Sequence, residues 1–155
     1  MAETQNSLFQ KCCSYLDSVD WKYGTDKNGD SDVVHFSASG DDLQMNCTIK
    51  FTDDIASFYS VIPVKFEDDD RVSGIMAVNE INKKLAFGSL DFDMLDGTVV
   101  YRVSNYFGDC TVDTGKVFMD LIQLLLHCVD KYNDKLFMLC KGMIDFGDFL
   151  KQIND

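Results

Sequence analysis

The residues with the most chemical promise are Asp26-Lys27-Asn28-Gly29-Asp30-Ser31-Asp32, where oxygen-bearing side chains alternate as they do at the start of an EF-hand calcium loop. Two positions break the pattern. The sixth residue is Ser31 where a sharp bend needs glycine, and the twelfth is Ser37 where a bidentate Glu should close the shell. A strand-like stretch follows instead of a helix, so the segment is expected to be an irregular polar loop ahead of a strand. A calcium-responsive regulatory module built on it is retained as an alternative.

The remaining chemistry is sparse. Of two histidines, His35 is expected on the polar face of a strand opposite Asn46, and His127 is expected in a surface cluster with Gln123, Asp130 and Lys131. His127 and Cys128 are neighbours on a helix and point about 100° apart, which rules out a Cys–His dyad. Cys12, Cys13, Cys47, Cys110, Cys128 and Cys140 form neither a CxxC pair nor a zinc spacing, and most occupy apolar positions as buried reduced thiols would. Phosphate-cradling glycine loops are absent. No catalytic residue, metal ligand or cofactor is therefore predicted; a small-molecule enzyme with an unrecognised site is the second alternative.

Composition narrows the partners. The chain has 155 residues and a formal charge of −12, which disfavours a phosphate backbone or an anionic bilayer as a binding surface. Nothing at the start resembles a signal peptide, and the most apolar run, Leu121 to Val129, is too short to span a bilayer. A cytoplasmic protein forming a single domain over residues 1–155 is expected, with no nucleic-acid or membrane partner.

The elements that would position any site follow from periodicity. Leu8, Phe9, Cys12, Cys13, Leu16 and Val19 recur at helical spacing. Leu43, Met45, Cys47, Ile49 and Phe51 alternate with polar residues, as a half-buried strand does. A turn at Gly40-Asp41 would pair Phe36 with Met45 and Val34 with Cys47; one at Asp53-Asp54 would pair Phe51 with Ala56 and Ile49 with Phe58. Pro63 in the third strand suggests an edge or a bulge. A helix is expected from about Arg71 to Ala86, led in by Glu67 to Asp70. Asp96-Gly97 suits a two-residue type I′ turn, pairing Leu90 with Val103, Phe92 with Tyr101, Met94 with Val99 and Asp91 with Arg102. Thr111 is expected to cap a long helix through Tyr132, whose wide apolar arc hints at a second buried surface. A last helix after Asn133-Asp134 carries Phe146 and Phe149.

Asn79 and Asn82 fall inside the apolar arc of the helix that Val72, Ile75, Met76, Val78, Ile81 and Leu85 define. Amides placed there must find hydrogen-bond partners. They are expected to bind backbone groups of adjoining turns or strands and fix how the helix docks.

This arrangement resembles the YbjN family of bacterial proteins, proposed sensory transduction regulators. The residues that carry the resemblance are the Asn79 and Asn82 pair, then Leu90, Phe92, the Asp96-Gly97 turn, Val99 and Tyr101, within a match over roughly residues 31–132. The resemblance implies an α+β domain, often dimeric, similar in fold to type III secretion chaperones, and supplies no catalytic residues.

The expected fold is thus α+β, an antiparallel five-stranded sheet against helices in the order α-β-β-β-α-β-β-α-α. The expected function is a non-enzymatic protein-binding or accessory domain, chaperone-like or regulatory, forming a homodimer. Tyr59 and Tyr106 on the polar sheet face, with Phe146 and Phe149 in the last helix, are the candidate contacts with protein partners.

Overall fold

Strict alternation along Gln44–Thr52 (β3) buries Met45, Cys47, Ile49 and Phe51 on one face and leaves the polar residues on the other. The computed structural model, which describes residues 7–108, 110–112 and 115–155, builds the molecule around this strand. Ser31–Ser39 (β2) and Ile55–Lys65 (β4) flank it, both antiparallel. Gly24–Asn28 (β1) lies outside β2, while Thr98–Tyr106 (β6) and Ser89–Phe92 (β5) complete the far side in the order β1-β2-β3-β4-β6-β5.

The sheet therefore has six strands, one more than the sequence suggests. The additional one, β1, forms where the polar, Gly-containing sequence suggests an irregular loop. It pairs with β2 through a two-residue turn at Gly29-Asp30, and Gly29 has φ +62°, the conformation a tight hairpin turn requires.

Registers are as expected at one turn and shifted at two. Phe51 faces Ala56 and Ile49 faces Phe58, as a turn at Asp53-Asp54 dictates. Between β2 and β3, however, Phe36 faces Cys47 and Ala38 faces Met45, because Gly40 to Leu43 form a four-residue loop closed by Gly40 N–H to Leu43 O at 3.0 Å. At the Asp-Gly hairpin, Leu90 faces Tyr101, Asp91 faces Val100 and Phe92 faces Val99. Its loop spans Met94 to Gly97, closed by Gly97 N–H to Asp93 O at 2.8 Å, so Met94 leaves the ladder. Each shift is two residues, and an even shift keeps every side chain on its predicted face. Pro63 lies within an interruption of the β4–β6 ladder between Val61 and Lys65, inside the sheet.

One face of the sheet carries the helices. Leu8–Ser18 (α1) starts with a reciprocal capping box between Ser7 and Gln10 and buries Cys12 and Leu16. Arg71–Asn82 (α2) follows a 3₁₀ turn at Asp68–Asp70 and stops four residues short of the expected end. Lys116–Cys140 (α3) has Gly115, not Thr111, at its N-cap, and Gly115 passes against the Lys11 carbonyl and Tyr15 where no side chain fits. It continues through Asn133, which is buried, and absorbs half of the expected last helix. Phe146–Asn154 (α4) is capped by Asp145, which accepts from Asp148 N–H at 2.7 Å.

Phe118, Ile122, Leu125, Val129 and Leu136 of α3 share a core with Val34, Met45, Ile49, Phe58, Ile62 and Tyr101 of the sheet. Contacts of α3 with both α1 and α4 occupy its wide apolar arc. The second buried surface that the arc implied is thus met within the chain. No helix among the described residues is long and apolar enough to cross a membrane.

Candidate functional site

With the helices on one face, the other face of the sheet is left uncovered, and the strand registers order its residues into transverse rows. The longest crosses all six strands: Gly24, His35, Thr48, Tyr59, Arg102 and Ser89. A second row holds Ser37, Asn46, Val61, Val100 and Asp91; a third holds Asp26, Val33, Lys50, Ser57 and Ser104. Thr52, Ile55 and Tyr106 lie at one end.

Hydrogen bonds within these rows stiffen the surface. Ser37 donates to Asn46 Oδ1 at 2.8 Å, and the Ser57 and Ser104 hydroxyls meet at 2.9 Å. His35 is exposed and faces Thr48, not Asn46, because of the register shift. Its ring covers Gly24, where a Cβ would collide with the imidazole. A shallow groove of about 510 Å³ runs here between Lys22, Tyr23, Gly24, His35, Asn46, Thr48 and Val61.

The electrostatics of this face differ from those of the whole chain. Lys50 and Arg102 lie inside it, and carboxylates appear only toward its edges, at Asp26 in β1 and Asp91 in β5. Arg102 Nε donates to Asp91 Oδ2 at 2.7 Å, and this bond raises the guanidinium pKa further. Elsewhere the formal charge of −12 dominates. Ile55, Val61 and Tyr106 are exposed on the same face, Val61 by 57% and Tyr106 by 72%.

The predicted contact residues separate. Tyr59 sits mid-face and half-buried, Tyr106 at its end. Phe146 is half-buried and stacks on Phe149 at 6.0 Å between ring centroids. Phe149 is completely buried and belongs to the core, because α4 folds back on α3 instead of standing free.

Asn82 does what was expected of the pair: its Nδ2 donates to Leu90 O at 3.0 Å and its Oδ1 accepts from Leu90 N–H at 2.8 Å. Asn79 does not, since it points to solvent on the outward face of α2. Asp96 accepts from the backbone and side chain of Thr98, at 2.9 and 2.6 Å, while Gly97 at φ +76° sits against the Phe66 carbonyl.

The calcium-like segment lacks a ligand geometry. Strand alternation puts Asp26 and Asp32 on opposite faces, Asp32 sharing its face with Lys27, whose ammonium it holds at 2.7 Å. Among the described residues no group of three His, Cys, Asp or Glu side chains could hold a metal ion. His127 borders an open cleft of about 430 Å³ with Asp41, Asp42, Asp130, Lys131, Asp134 and Lys135. Asp130 uses an oxygen there to accept from Asp41 N–H at 3.0 Å, tying α3 to the β2–β3 loop.

The cysteines are all free. Burial pushes the Cys12 thiol up to about 12, helped by Cys13, and the Cys47 thiol up to about 11, the opposite of an activated nucleophile. Cys12 and Cys47 are buried, Cys13, Cys128 and Cys140 half-buried and Cys110 exposed, so fewer thiols are fully buried than their apolar positions suggest.

Sequence reasoning missed the Gly24 end of the uncovered face. The available signal was Gly29-Asp30, a dipeptide suited to a two-residue hairpin turn with glycine first, which the resemblance to a cation loop obscured.

No family model matches the chain, and no curated protein does. Among solved structures, the chain is similar to the crystal structure of YbjN from E. coli, described as a proposed transcription regulator. The two share 13% identity and superpose with a TM-score of 0.55, over 83% of this chain and 92% of that one. The fold is therefore YbjN-like.

Proposed function

We propose that this chain is a non-enzymatic accessory domain of regulatory or chaperone-like type, one unit over residues 1–155, that acts in the cytoplasm by binding protein. Its uncovered sheet face is the contact surface, and a second copy of the chain is its first partner, giving a homodimer. The observation that carries this reading is the composition of that face: hydroxyls, amides, Tyr59, Tyr106, Val61 and Arg102, with carboxylates only toward the edges, in a chain of charge −12. Interface centres are depleted of acidic residues and enriched in Tyr and Arg; Lys50, Ser37, Ser57 and Ser104 are the departures of this face from that pattern. Other surfaces of two such acidic molecules repel each other, whereas the sheet faces can approach. The description of YbjN as a regulator agrees with an accessory role.

Light scattering coupled to size exclusion tests the reading, with mass followed over a wide range of concentration. The expected result is a dimer that Val61→Glu and Tyr59→Glu convert to monomer, with the circular dichroism unchanged. A monomeric mass throughout, or a dimer indifferent to both substitutions, overturns the pairing.

A further inference from the structure

A second surface lies at the hairpin end of the molecule. On α2, Val72 and Met76 are one turn apart and point outward, 66% and 47% exposed. The same helix buries its other side, where Gly74 packs so closely on Phe66 and Phe92 that a Cβ would not fit. The neighbouring β5–β6 loop exposes Met94 and, at 89%, Leu95. Arg71 joins the two, donating from Nη1 to Met94 O at 3.0 Å and from Nε to Phe66 O. Val72 follows Arg71 in the chain and Met94 accepts from it, so the two exposed apolar pairs flank one guanidinium, and two of the four are methionines, which adapt to varied partners.

The rim is acidic. Glu67, Asp68, Asp69 and Asp70 lead into α2, and Asp93 and Asp96 flank the loop tip, all exposed. Asp68 is paired with Arg71 at 2.8 Å, and Lys65 is the other cation nearby.

We propose that this patch binds an amphipathic helix of a partner protein, with apolar anchors on one side and Lys or Arg on the other. Anchors one turn apart match Val72 and Met76, and the rim supplies complementary charge. A second copy of this acidic chain would set like charges against the rim. The inference deepens the binding role proposed above and uses a different surface from the pairing face.

The probe is a fluorescein-labelled synthetic helix with Leu and Trp at i, i+4 and i+7 and Lys and Arg elsewhere, titrated with the full chain and read by anisotropy. Saturable binding is expected, weakened by salt, and lost by about tenfold or more in Met76→Glu and in Leu95→Glu. Leu95 stands at a loop tip, so its variant carries the test if Met76→Glu melts early. Leu124→Glu, on the exposed side of α3, should bind as the parent does. Absence of binding, equal binding of a scrambled peptide or of one with Glu for Lys and Arg, or indifference to Leu95→Glu overturns the proposal. So does a dimer that Leu95→Glu dissociates, since the patch would then belong to a second copy. A chain found monomeric sinks the pairing of sheet faces and leaves this result standing.

Discussion

The side-chain amide of Asn82 makes both hydrogen bonds of a strand neighbour to Leu90, donating to its carbonyl at 3.0 Å and accepting from its N–H at 2.8 Å. Leu90 is in β5, one of the two edge strands, and its backbone groups point away from β6 toward Asn82. An unpaired edge invites another chain to add a strand. Asn82 fills that position from the last turn of α2, so one residue both docks the helix and closes the edge.

Asn82→Ala should destabilise the fold by about 1–3 kcal/mol, because two partly buried backbone groups lose their partner. Urea unfolding measures that loss. The same variant should show faster aggregation on gentle heating, followed by static scattering, while Asn79→Ala, altering an exposed amide, should match the parent in both. Equal behaviour of the two variants would remove the edge-closing role.

Gly97 is the residue on which the hairpin depends. At φ +76° an L side chain is strained, and a Cβ would run into the Phe66 carbonyl; the Phe66 N–H in turn donates to Gly97 O at 2.9 Å. Gly97→Ala should cost about 2–4 kcal/mol, from backbone strain together with steric overlap. Gly29→Ala, strained at φ +62° but with open space around it, should cost less. Comparing the two by thermal unfolding separates strain from collision.

Asp96 titrates below the ordinary carboxylate range because its side chain accepts from the Thr98 hydroxyl and the Thr98 N–H. A carboxyl depressed in the folded state adds stability above its unfolded value, and that contribution disappears as pH falls through the folded value. Thr98→Val removes the hydroxyl that contributes most. Stability profiles of parent and variant should lie apart at neutral pH and converge under acid. Parallel profiles would show that the turn bond is not linked to protonation.

The turns show how far the sequence could be read. Asp53-Asp54 is a true two-residue turn, with Asp53 at φ +51°, so counting outward from it gives the observed partners. Gly40 opens one four-residue loop and Gly97 ends another, which displaces partners by two while preserving the faces. The ion pair of Asp91 with Arg102 survives that displacement, because a long guanidinium reaches a diagonal neighbour. Asn133-Asp134 looks like a break, yet α4 and the sheet supply enough burial to carry α3 through it to Cys140. The uncovered face was hardest to recognise. Its Ser, Thr, Asn and His residues have no apolar period, and only the strand order assembles Gly24, His35, Thr48, Tyr59 and Arg102 into one row.

Thiol reactivity provides a probe of that architecture that needs no substitution. Cys110 is exposed, whereas Cys12 and Cys47 lie in the core with thiols held up to about 12 and about 11 by burial. Only the thiolate attacks an alkylating reagent, so at mildly alkaline pH both depressed ionisation and poor access protect the two core residues. Iodoacetamide followed by peptide mass spectrometry should therefore modify Cys110 first. Cys12 and Cys47 should react only at the rate of unfolding, and guanidinium should bring all three to a common rate. Rapid labelling of Cys47 in the native protein would mean that β3 and β4 separate from the helices readily, and a sheet that loose could not hold the Tyr59 and Arg102 row as a fixed surface.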